Sequence, residues 1–251
     1  MTEKLKVLDL FSGIGGFSLG LERTGGFDTV AFCEIDPFCQ RVLAKHWPEV
    51  PIYDDIQTLD ADTLASDGID VDIICGGFPC QDVSTAGRKT GISGTRSGLW
   101  DDYARLIGEL QPKFCIVENV TGLLDAGMGV VLGDLAALGY DADWGCLPAS
   151  AVGLPHSRER VWIVAYPAGL GQSKPGHLWQ NACRNPPQAS WEATDAVNAL
   201  RRGTVPALCR EHDGRSKRLD KSRLTALGNA VVPQIPELIG RAILADYAAQ
   251  Q

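Results

Sequence analysis

The chain has 251 residues, 45% of them hydrophobic and 22% charged. Its 31 Asp and Glu outweigh 23 Lys and Arg, for a formal charge of −8. That balance excludes wholesale disorder and fits one large domain, or a medium one carrying a small module. No apolar run reaches the roughly 18 residues a membrane helix needs. The polar start, Met1 to Lys6, leads into a strand-like run and does not read as a secretory signal, so a cytoplasmic, unanchored protein is expected.

Val7 to Leu10 reads as a short buried strand ending at a glycine cluster. Phe17 and Leu21 then stand four apart, as on a helix face. Thr29 to Cys33 is a second strand, and Asp36-Pro37 is a helix start, with an N-cap and proline at the first helical position. Val71 to Cys75 is a third strand. Leu99, Tyr103, Leu106, Ile107 and Leu110 form a helical stripe that stops at Pro112. Phe114 to Val117 is a strand, Val131, Leu135 and Leu138 a helix closed by Gly139, and Val161 to Ala165 a late strand. Ile235, Leu238, Ile239, Ala242 and Ile243 mark a final amphipathic helix. Short apolar strands alternating with helices predict an α/β fold with a doubly wound, mostly parallel sheet. Ligands of such sheets bind at the carboxyl ends of the strands.

Four segments at those ends carry chemistry. After the first strand, Asp9 to Gly16 has Gly13-x-Gly15 but lacks the third glycine of a nicotinamide fingerprint. On its own it is either a structural turn or a turn that approaches a nucleotide-like ligand. Glu34 follows the second strand, 19 residues beyond Gly15, where a carboxylate can accept both hydroxyls of a ribose. Cys80 stands on a Gly/Pro turn, Gly76-Gly77-Phe78-Pro79-Cys80-Gln81, either as a nucleophile or as a buried structural thiol. The loop beyond it spaces Gly87, Gly91, Gly94 and Gly98 with Arg88, Lys89 and Arg96, like a lid over an anionic substrate. Glu118 is a candidate acid whose burial would raise its pKa; capping or pairing is the other reading.

The eight cysteines include no Cys-x-x-Cys pair and are expected to be reduced. A zinc set from His177, Cys183, Cys209 and His212 matches no familiar finger spacing, and no metal is expected. Charge is uneven: His156 to Arg223 holds 12 basic and 6 acidic residues, the remainder 11 and 25. Such a stretch is a solvated surface or a face for a polyanion.

In order along the chain these segments resemble the DNA cytosine-5 methyltransferase family. The resemblance extends to Asp55-Ile56, to Gly77-Phe78-Pro79-Cys80-Gln81 and to Glu118-Asn119-Val120. It includes Gly153-Leu154-Pro155-His156-Ser157-Arg158-Glu159-Arg160 and Gly228-Asn229-Ala230-Val231-Val232-Pro233. It covers residue 7 to about 248, except for a gap near 166–222. It implies a Rossmann-like methyltransferase fold over 1–165, a small target-recognition module over 166–222, and a segment over 223–251 that returns to the catalytic domain. S-adenosylmethionine would be held by Asp9, Phe11, Gly13, Ile14, Gly15, Gly16, Glu34, Ile35, Asp55, Ile56, Pro79, Leu99, Asn229 and Ala230. Cys80 would be the nucleophile and Glu118 the acid, with Arg158 and Arg160 beside the base. Gln81, Ser84, Arg88 and Arg96 would contact substrate. The implied partner is double-stranded DNA met by a monomer, in restriction–modification or phage self-protection. Ala230 stands where many members have Ser, and the short recognition stretch suggests a short target or limited selectivity. The alternatives are tRNA as substrate, a catalytically silent DNA-binding module, and a nicotinamide oxidoreductase. The last leaves Pro79-Cys80-Gln81 and Glu118-Asn119-Val120 unexplained.

Overall fold

The computed structural model describes residues 3–79, 98–154, 158–169, 222 and 225–249. Seven strands form one sheet in the order β3-β2-β1-β4-β5-β7-β6. The strands are β1 (Leu5–Leu10), β2 (Phe27–Cys33), β3 (Ile52–Tyr53), β4 (Ile73–Gly77), β5 (Phe114–Val120), β6 (Tyr140–Pro148) and β7 (Glu159–Pro167). The first five pair in parallel, and β7 runs antiparallel between β5 and β6. Helices α1 (Gly16–Glu22), α2 (Pro37–His46), α3 (Ala61–Ser66), α4 (Gly98–Leu110), α5 (Leu123–Ala126), α6 (Met128–Ala137) and α7 (Gln234–Ala249) connect and cover it. The expected doubly wound, mostly parallel sheet is therefore the one found.

The central strands are continuously apolar because both of their faces are buried. Along β7, Val161, Ile163 and Ala165 join a core with α4 and α6, while Trp162 and Val164 join a second core with α1 and α7. The same alternation divides Ile73 and Cys75 from Ile74 on β4. The expected helix start at Asp36 is present: its side chain accepts from the Phe38 amide at 2.7 Å, with Pro37 at the first helical position.

Helix α1 begins differently. Its N-cap, Gly15, has no side chain to offer. The carboxylate of Asp9, at the end of β1, accepts instead from the Ser18 amide at 3.3 Å and the Ser18 hydroxyl at 2.7 Å. A negative group at a helix N-terminus is favoured by the unpaired amides and the helix dipole. The C-terminal segment packs against the same helix closely enough that a Cβ on Gly16 would stand 2.5 Å from the Val231 carbonyl. This contact brings the segment of Asn229 and Ala230, more than two hundred residues later in sequence, to the turn between β1 and α1.

The strand β6, the two-residue β3 and α3 lie outside the sequence expectations. β6 is an edge strand whose outward Trp144 and inward Asp143 reverse the usual pattern of burial. β3 is too short to show a period, and α3 spans only six residues behind the Asp60 cap. Among the described residues no helix is long and apolar enough to cross a membrane, and no group of His, Cys, Asp or Glu is placed to hold a metal.

Candidate active site

The strand order reverses between β1 and β4, so their crossovers diverge and leave a crevice at the carboxyl ends. A cavity of about 420 Å³ lies there. Phe11 and Gly13 from the β1 turn, Glu34 and Ile35 after β2, and Asp55 and Ile56 after β3 line one part. Pro79 after β4, Leu99 at the start of α4 and Asn229 continue the wall. Glu118, Arg158 and Arg160 line the same cavity. Twelve of the residues expected from sequence thus meet in one space.

Asp9, Ile14, Gly15, Gly16 and Ala230 stand outside the lining. Asp9 is fully buried beneath the turn, where desolvation pushes its carboxyl up to about 7. Gly15 has φ 83°, and a Cβ there would stand 2.6 Å from the Trp47 ring. Glycine is needed at that corner for both reasons. Cys80, Gln81, Ser84, Arg88 and Arg96 lie outside the described residues, as do His177, Cys183, Cys209, His212 and most of the 166–222 stretch.

The carboxylate of Glu34 faces the cavity while accepting from the Gly13 amide at 2.6 Å and the Asp36 amide at 2.7 Å. Those bonds fix its orientation and leave lone pairs for hydroxyl donors. Ile35 at the rim is 72% exposed, an apolar side chain at the cavity that the described residues leave largely uncovered.

At the other side, the Glu118 carboxylate meets the Arg160 guanidinium at 3.0 Å (Oε1 to Nε). Burial pushes the Glu118 carboxyl above the ordinary range, and Arg160 and Arg158 pull it back. Arg158 is pushed down by burial and by Arg160. Its guanidinium also donates to the carbonyl of Gly228, next to Asn229, and so ties the arginine pair to the closing segment.

Asn119 belongs to one of the motifs, but the sequence alone gives it no role. In the fold its amide donates to the Phe78 carbonyl at 3.1 Å, and its own oxygen accepts from the Val120 amide at 2.8 Å. It pins the strand end that leads into Pro79 and Cys80. Asp36, Asp54 and Thr225 also line the cavity, with no signal in the sequence that marks them for it, and so do Gly77 and Phe78, whose segment the sequence marked without giving either residue a role. Cys33, Cys39, Cys75 and Cys115 are buried free thiols; burial, the largest influence on each, pushes Cys33 and Cys39 up to about 12.

The family model for C-5 cytosine-specific DNA methylase matches residues 5–225. The chain belongs to this family. Among relatives, the type II methyltransferase M2.BsuMI of Bacillus subtilis is 40% identical over 169 residues, covering 64% of this chain and 42% of that protein. The type II methyltransferase M1.ScrFI of Lactococcus lactis is 37% identical, covering 66% of this chain and 42% of its own length. The chain thus spans less than half the length of these two relatives. A solved protein described as a DNA modification methyltransferase encoded within an E. coli prophage is 30% identical, with a TM-score of 0.59. That match covers 70% of this chain and 50% of that one. The methyltransferase EhMeth of Entamoeba histolytica shares the fold over 98% of this chain and 99% of its own, at 15% identity and a TM-score of 0.64. The cavity joins Gly13, Glu34 and Asp55 to Glu118, Arg158 and Arg160.

Proposed function

We propose that this chain transfers a methyl group from S-adenosylmethionine to C5 of cytosine in double-stranded DNA, acting as a cytoplasmic monomer. The observation that carries the reading is the single cavity joining Glu34 and Asp55 to Glu118 and Arg160. The cofactor suits its lining. Glu34 offers acceptors to a ribose, Asp55 to an adenine amine, and Phe11, Ile56 and Leu99 give apolar walls. An adenine would also cover the exposed Ile35. When bound, S-adenosylmethionine supplies an electrophilic methyl group.

The rest of the chemistry falls to the chain and the base. Cytosine must leave the stack, because its reactive edge is enclosed in the duplex. Its C5 is a poor nucleophile until C6 is attacked. Cys80, four residues past Gly76 and next to Pro79, adds to C6 as thiolate. Glu118, protonated, gives its proton to N3 as negative charge develops on the ring. Arg160 holds O2. The base is then an enamine whose C5 takes the methyl group. Loss of the C5 proton to solvent, expulsion of the Cys80 thiolate and return of the N3 proton to Glu118 restore the aromatic ring and the starting state of the acid. Residues 1–165 and 223–251 form the catalytic unit in this reading, and 166–222 selects the target. The two relatives named type II methyltransferases support a role in restriction–modification.

Incubation with tritiated S-adenosylmethionine and either duplex DNA or tRNA tests the reading. Label in DNA, absent with Cys80→Ser although that variant still binds DNA, supports it. Label in tRNA alone would transfer the reaction to RNA.

A further inference from the structure

We infer that Gly77 is a positioning residue for Glu118: its missing side chain is the seat in which the carboxylate rests. The inference deepens the reading of Glu118 as the acid and rests on it. Gly77 is the last residue of β4 and the direct ladder partner of Glu118 on β5. Paired residues on neighbouring strands project to the same face, so Gly77 leaves a gap beside Glu118. A Cβ on Gly77 would stand 2.6 Å from Glu118 Oε2. The next nearest atoms, Glu118 Cδ and the Glu118 carbonyl, are both at 3.7 Å, an ordinary contact. Only the carboxylate oxygen occupies the space.

Neither backbone conformation nor main-chain crowding demands a glycine at this position. Gly77 is not among the residues with positive φ, so the backbone does not require it. Nor does a neighbouring main chain press on it, in contrast to Gly76, where a Cβ would meet the Leu10 carbonyl. Adjacent glycines thus serve different ends. Gly76 lets two strands approach, and Gly77 lets a side chain fold across a strand. Glu118 is held between that gap and the guanidinium of Arg160, 3.0 Å from its other oxygen. Arg158 is the other cation acting on it.

A methyl group at position 77 would therefore leave the backbone in place and move the acid. The far end of a glutamate can swing away at little cost in stability. It would retreat by most of an ångström and loosen its pair with Arg160. Misplacement on that scale is enough to lower a rate by about 100-fold.

The test compares Gly77→Ala with Gly76→Ala and the parent chain. Thermal unfolding is measured first, then the titration of the Glu118 carboxyl by carbon NMR, assigned with Glu118→Gln. Cofactor binding and methyl transfer complete the set. The expected result for Gly77→Ala is a parent-like Tm, an upward shift of the Glu118 titration and unchanged cofactor affinity. Its kcat for transfer should fall about 100-fold. Gly76→Ala should unfold at a clearly lower temperature. An unshifted Glu118 titration in Gly77→Ala would overturn the inference, as would a Tm loss matching that of Gly76→Ala. A parent chain with no transfer activity would refute the functional reading alone, and the carboxyl titration would still decide the seat.

Discussion

Glu118 is asked to be an acid in a place that also contains two arginines. Desolvation favours its neutral form and the guanidiniums favour its charged form; burial is the larger effect, so the proton is held to higher pH than on a free glutamate. The proposed transfer needs that proton. Activity on the alkaline side should therefore fall as pH rises through the Glu118 titration. Glu118→Gln should lower kcat by about 10²- to 10⁴-fold and abolish this dependence, as pH–rate profiles of both proteins would show. Asn119 acts one step further away. Replacing it with Ala leaves the Phe78 carbonyl without its donor, a loss of about 1–3 kcal/mol for a buried group. Chemical denaturation should register that loss, and kinetics should show kcat falling while cofactor affinity is kept. The glycine turn, Glu34, Cys80 and Glu118 were legible as chemical types at strand ends, whereas Asp55, Arg158, Arg160 and Asn229 were marked only by the family resemblance. The Asn119 bond was not, because its acceptor is a backbone carbonyl 41 residues away.

Among the elements, the turn between β1 and α1 sets where the cofactor would lie. Gly15 stands there at φ 83° with the Trp47 ring against it, and the Trp47 indole donates to both oxygens of Glu22 at 3.1 and 3.0 Å. Trp47 thus braces α1 from its first turn to its last residue. Gly15→Ala should cost at least about 1–2 kcal/mol from the left-handed backbone alone. Calorimetry should also find weaker cofactor binding, because the displaced turn carries Gly13 and its bond to Glu34. Strands buried on both faces were readable as apolar runs. The edge strand β6 was not, since Asp141, Asp143 and Gly145 interrupt the apolar pattern and its pairing partner β7 comes later in the chain.

Across the whole molecule, the fold buries a carboxylate, Asp9, under the site it supports. Its carboxyl is raised from 3.8 in the free side chain to about 7, chiefly by desolvation. The folded state therefore binds the Asp9 proton more tightly than the unfolded chain does. This contribution to stability is complete below the unfolded pKa and is lost as pH rises through about 7, with an upper magnitude of about 4 kcal/mol. Thermal unfolding between pH 5 and pH 8 should show the parent chain losing more stability than Asp9→Asn. The amide can still accept from Ser18 but has no proton to lose. An equal slope for both proteins would remove Asp9 from this role. The reach of the chain is also a whole-molecule property: residues near 10, 34, 55, 79 and 118 converge at the carboxyl ends of parallel strands, antiparallel β7 begins there beside Arg158, and the C-terminal segment adds Asn229. The motifs alone could give their order along the chain but not the single cavity they share.

Bisulfite sequencing of DNA from cells that express the chain tests the central claim most directly, with Cys80→Ser expressed beside it. The account predicts protected cytosines in one short sequence context, present with the parent chain and absent with the variant. Protection that persists with Cys80→Ser would contradict the mechanism. Its absence with a folded parent chain that binds S-adenosylmethionine would contradict the assignment of DNA as substrate.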